Sequence, residues 1–140
     1  MEVEITRNDI EKLKKKMPSA LERAHDYMAL DLEGNLKEYA PKDTGYMASR
    51  WNLKKKKRFL SVIGNPLVYA LVQSEGSDPY MIYPRVAKAL RFKIDGQWIF
   101  AKEVLHPGIN PTYYIDGAVS ATRQRISDFV SRALDEEGLT

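Results

Sequence analysis

Apolar positions recur every three or four residues through the first forty positions, and the period then shortens to two. Ile10, Leu13 and Met17 begin the stripe, and Leu21, Ala24, Met28, Leu32, Leu36 and Tyr39 continue it. Thr6 or Asn8 is placed to cap the start. Pro18 either opens a second helix, where its missing donor costs nothing, or kinks one continuous helix. Gly34 weakens the run by about 1 kcal/mol relative to Ala without ending it. Pro41 does end it, and Asp43 and Thr44 can bond neighbouring amides in the turn that follows. A helix with one apolar face needs a sheet, another helix or a partner subunit to cover it.

The middle of the chain reads as strands. Residues 47–57 and 58–64 form two of them, with the block Lys54, Lys55, Lys56, Lys57 and Arg58 near their turn. Asn65-Pro66 breaks the pattern, and 67–73 suits either a helical turn or a strand. Gly76, Ser77, Asp78 and Pro79 compose a loop. Residues 80–83 make a short strand stopped by Pro84. Leu90, Phe92 and Ile94 alternate with Arg91, Lys93 and Asp95, and Asp95-Gly96 is a strong hairpin turn. Trp98, Phe100 and Lys102 share one face of the returning strand, with Ile99 and Ala101 on the other. That alternation favours a core position for Phe92, Trp98 and Phe100, the competing use being stacking on bases beside a basic surface.

Ile115, Ala118, Val119, Thr122, Ile126, Phe129, Val130 and Ala133 then describe a last amphipathic helix. The pattern predicts one α+β domain over 1–140: a long N-terminal helix, a central antiparallel sheet with hairpins, and a C-terminal helix packed on the sheet. Leu21, Met28, Leu32 and Leu36 are expected to be buried with Phe92, Ile126 and Phe129.

Composition narrows the chemistry. Without cysteine among its 140 residues the chain has no disulfide, thiolate metal site or cysteine nucleophile. No apolar run approaches the ~20 residues that cross a bilayer, and the first residues lack the apolar core of a signal peptide. Much of the basic excess behind the net charge of +3 sits in the lysine block. Such a block can bind phosphates, but a lysine-rich turn is more often a solvated device against edge pairing. His25 and His106 are far apart and lack a partner at metal-binding spacing. No nucleophile elbow, phosphate loop or dinucleotide fingerprint occurs. Asp43 and Asp78 read as turn residues rather than as an acid–base pair. Neither catalysis nor a cofactor or metal is expected.

Four stretches, taken in order, resemble the tail-completion, or head–tail joining, family of long-tailed bacteriophages and prophages. They are Ala40-Pro41-Lys42-Asp43-Thr44-Gly45 with Met47 and Ser49; Tyr69-Ala70 ahead of Gly76-Ser77; Ile82-Tyr83-Pro84 with Ala89-Leu90-Arg91-Phe92 and Gly96; and His106-Pro107-Gly108 with Pro111, Tyr114 and Ala118. Ser74 stands where the family usually carries a glutamate, with Glu75 displaced by one. The resemblance implies a non-enzymatic structural protein of the virion neck or tail, assembled from the host cytoplasm. It implies a homo-oligomeric ring, with six subunits the expectation, between head-connector and tail proteins. Lys54 to Arg58 and Gly76 to Pro79 are then the candidate contacts, and positive charge within a ring would meet passing DNA without reading its bases. A small basic nucleic-acid-binding module is the alternative.

Overall fold

The computed structural model describes residues 1–139, which form a mixed α+β fold with a long N-terminal helix and small antiparallel sheets. The chain divides into two compact units, Met1–Val68 with Tyr114–Thr140, and Tyr69–Tyr113.

The first unit is organised by helix α1, Arg7–Tyr39. Thr6 caps it with a capping box: its hydroxyl accepts from the Asp9 amide, and Asp9 accepts from the Thr6 amide. Pro18 lies inside one continuous helix. A short helix α2, Tyr46–Ser49, follows the turn, where the alternating pattern had suggested a strand. Strands β1, Asn52–Lys57, and β2, Leu60–Gly64, then form an antiparallel ribbon with a bulge at Lys54. Lys55 lies opposite Val62 and Lys57 opposite Leu60. Asn65 closes the ribbon by donating to the Met47 carbonyl and accepting from the Leu67 amide.

The C-terminal stretch is two helices rather than one, α4, Tyr114–Gln124, and α5, Ile126–Glu136, joined at Arg125. Both run along α1, which also touches the β1–β2 ribbon. Alanines line much of the helix contact: Ala20 and Ala24 of α1, Ala118 of α4 and Ala133 of α5 are all buried. Small side chains let the backbones approach closely, and Leu36 and Phe129 supply the bulk. Trp51 meets Tyr114 edge-on at 6.3 Å in the same core. Leu21 and Ile126, expected inside, are exposed, and Met28 and Leu32 are half-buried, because the alanine contact brings only part of the stripe against its cover.

Three side chains from two helices converge on Glu136. Tyr27 donates to one carboxylate oxygen at 2.5 Å, Arg23 to the same oxygen at 3.0 Å, and Arg132 to the other at 3.1 Å. These donors, Tyr27 foremost and Arg23 next, hold the Glu136 carboxyl down at about 2. The same contact raises the Tyr27 hydroxyl. Two turns before Arg23 in α1, Lys16 donates to the carbonyl of the next residue, Glu137, at 3.1 Å, so α1 and the end of α5 are tied at two levels. Nearer the other end, Asp31 gathers Asn35, Thr122 and Arg125.

The second unit opens with helix α3, Tyr69–Glu75, and contains two further ribbons. Strand β3, Tyr80–Ile82, pairs with β6, Val104–His106. Strand β4, Leu90–Ile94, pairs with β5, Gln97–Ala101, across the Asp95-Gly96 turn. The antiparallel content is thus spread over three two-stranded ribbons, not one continuous sheet. Phe92 is half-buried, but Trp98 and Phe100 are exposed, contrary to the core position that alternation suggested. A lone ribbon has one packed face, and these two rings stand on the other.

Candidate functional site

The five basic residues of the lysine block do not behave alike. Cross-strand partners share a face of a ribbon. Lys56, opposite Ser61, reaches Asp26 of α1 at 3.2 Å. Arg58 in the turn reaches Glu22 at 3.0 Å, and the neighbouring Phe59 ring meets His25 edge-on at 6.5 Å. The ribbon tip is therefore laid along α1. Lys55 and Lys57 fall on the opposite face with Val62 and Leu60, and all four side chains are exposed. The Lys54 side chain passes close to Gly64. Two of the five charges thus have carboxylate partners within the chain, while Lys55 and Lys57 face solvent.

The loop of Gly76, Ser77, Asp78 and Pro79 has a structural duty that its composition did not announce. Ser77 and Ile109 exchange backbone hydrogen bonds, 2.9 Å from the Ser77 amide and 3.0 Å from the Ile109 amide. Gly76 and Gly108 flank this crossing, both with positive φ, and each presses against the opposite segment. A Cβ on Gly76 would lie 2.7 Å from the Ile109 carbonyl oxygen, and one on Gly108 would overlap the Ser77 carbonyl oxygen. No larger residue fits either position.

Below the crossing, the end of α3 is closed by the same strands of chain. The Gly76 amide bonds the Val72 carbonyl, the Thr112 amide and hydroxyl both bond the Gln73 carbonyl, and the Tyr113 amide bonds the Ser74 carbonyl. Carbonyls that a helix end leaves unpaired are satisfied here by a segment some forty residues downstream. His106 completes the corner: its Nδ1 accepts the Gly108 amide at 3.0 Å, and its ring stacks on Tyr80 at 4.7 Å. The 75–78 and 109–111 segments border a shallow depression of about 450 Å³.

The second and fourth motifs singled out in the sequence therefore meet, through Gly76, Ser77, Gly108, Ile109 and Pro111. Gly76 and Ser77 are occupied in holding that meeting, so of the four loop residues Asp78 and Pro79 are the ones turned outward. Sequence reasoning gave the loop no structural work, because the signal lies in two glycines far apart rather than in either loop. His25 and His106 are engaged with Phe59 and with Tyr80 and Gly108, and no group of three potential metal ligands occurs among the described residues. No helix among them is long and apolar enough to cross a membrane. No family model, curated protein or solved structure matches the chain.

Proposed function

We propose that this chain is a structural virion protein of the head–tail interface, which completes the tail or joins it to the head connector as part of a homo-oligomeric ring. The observation that carries the reading is the junction of Gly76-Ser77 with Gly108-Ile109. Two of the four stretches on which the family resemblance rests are one structural corner here, so their joint presence has a physical reason. A ring with cyclic symmetry joins two different patches of each subunit, and exposed polar loops suit such contacts.

Lys55, Lys57, Asp78 and Pro79 are the contact candidates, because they are exposed. Interfaces completed by the layers above and below can individually fall short of the ~1,000 Å² of a stable pair. The isolated chain is therefore monomeric or weakly associating, and the ring forms with its neck and tail partners. The alternative, a basic nucleic-acid module built on the lysine block, draws on fewer free charges than the sequence suggests, since Lys56 and Arg58 are paired to α1.

The test is a virion made without this chain. Filled heads and separate tails are expected to accumulate, and adding the purified chain back should join them. Normal joined particles in its absence would overturn the reading.

A further inference from the structure

The outer face of the β4–β5 ribbon carries two aromatic rings and two cations in alternating register. Arg91 lies opposite Phe100, and Lys93 lies opposite Trp98, so all four side chains share one face. Trp98 is 51% exposed and Phe100 66% exposed. The Arg91 guanidinium and the Lys93 ammonium lie over the Trp98 ring, 4.1 Å and 4.7 Å from its centre, while the Phe100 ring carries no such cover among the described residues. On the opposite face Phe92 and Ile99 are half-buried, so the ribbon has a packed side and an open side.

Charge follows the same segment. Residues 85–102 contain Arg85, Lys88, Arg91, Lys93 and Lys102 against Asp95 alone, a net +4 that exceeds the +3 of the entire chain. No ion pair to a carboxylate is formed by Arg91 or Lys93 among the described residues, unlike Lys56 and Arg58 of the other ribbon. Exposed rings flanked by unpaired cations suit a polyanion whose flat groups can be laid on the rings.

We propose that this face binds single-stranded nucleic acid, with a base stacking on the open Phe100 ring and phosphates drawing Arg91 and Lys93 off the Trp98 ring so that a second base can stack there. A duplex hides its base faces and offers only its phosphates, so the rings would be idle against it. Side chains on one strand face repeat at about 7 Å, which lets two rings serve successive splayed bases without sequence preference. An anionic membrane is a poorer occupant, because rings alternating with cations give no continuous apolar surface to insert. The site is independent of the assembly role and of the lysine block.

The experiment is titration of the full chain with a labelled oligothymidine of about 16 nucleotides, read by anisotropy and by tryptophan fluorescence. Trp51 is buried, so quenching reports on Trp98. The single strand should bind more tightly than a duplex of equal length and quench the fluorescence. Phe100→Ala should weaken it about tenfold, and Arg91→Ser with Lys93→Ser should lower the salt slope by about 1.4, the value for two phosphate contacts on a single strand. Phe100 is exposed, so its variant should keep the wild-type circular dichroism. Replacing Lys55 and Lys57 by Ser supplies the control and should leave stacking intact. Equal affinity for single strand and duplex, loss confined to the Lys55/Lys57 variant, or binding to anionic vesicles with none to the oligonucleotide would each overturn the proposal.

Discussion

Gly108 lies against Ser77 so closely that a methyl group at position 108 would overlap the Ser77 carbonyl oxygen. The contact is reciprocal, since Gly76 stands in the same relation to Ile109, and the two amides and two carbonyls between them are all bonded. A backbone crossing this tight tolerates no side chain on either partner.

Gly108→Ala should therefore destabilise the protein by more than ~1–2 kcal/mol, the cost of the left-handed conformation alone, with the steric overlap adding to it. Gly96→Ala is the comparison: it meets the same conformational penalty in open space. Thermal unfolding of the pair separates the two contributions. Equal melting temperatures would show that the crossing yields without cost.

Within α1, burial rather than the apolar stripe decides the cost of truncation. Leu36 is 3% exposed and Leu21 is 44% exposed. Leu36→Ala should cost ~2–5 kcal/mol, whereas Leu21→Ala should stay within ~0.5 kcal/mol. Urea denaturation with an unchanged slope checks both values.

Glu136 makes the clamp between α1 and α5 sensitive to acid. Its folded carboxyl is depressed to about 2 from an ordinary 4.5, first by the Tyr27 hydroxyl and then by Arg23. A depressed carboxyl contributes stability that is complete above the unfolded value and is lost as pH falls through the folded one. The gap in melting temperature between wild type and Glu136→Gln should be constant above pH 4.5 and shrink towards pH 2. A gap unchanged across that window would show that charge on Glu136 is irrelevant.

The lysine ribbon should be nearly neutral to stability. Lys55→Ser and Lys57→Ser remove charges without a carboxylate partner, and Lys56→Ser removes one exposed pair worth ~0–1 kcal/mol. Calorimetry of the triple variant should find a melting temperature close to wild type. Unfolding of that variant would mean that the ribbon tip braces α1.

Local signals explain which parts of this fold could be read from the sequence. Asp95-Gly96 between alternating strands announced the β4–β5 hairpin, and the stripe from Leu21 to Tyr39 announced a long helix. The stripes contained Ala24, Ala118 and Ala133 but not Ala20, and they could not say that these small residues, rather than the bulkier Leu21 and Ile126, would form the covered seam, because a hydrophobic pattern weights the larger side chains. The pairing of Tyr80 with His106 and the crossing of Ser77 with Ile109 join segments far apart, and neither segment alone carries a signal for the other. For the same reason, alternation identified two faces at Trp98 and Phe100 but could not say which face would find a neighbour.

The order of elements sets a timetable for synthesis. Helix α1 emerges from the ribosome first, while the helices that cover it come from the last stretch of the chain, after the whole of Tyr69–Tyr113 has been made. At ~5–20 residues per second, the interval between completing Tyr39 and completing Glu136 is on the order of ten seconds. Throughout it the alanine seam and Leu36 have no α4 or α5 to meet. The helix seam of α1 thus completes its packing only after α4 and α5 have been made.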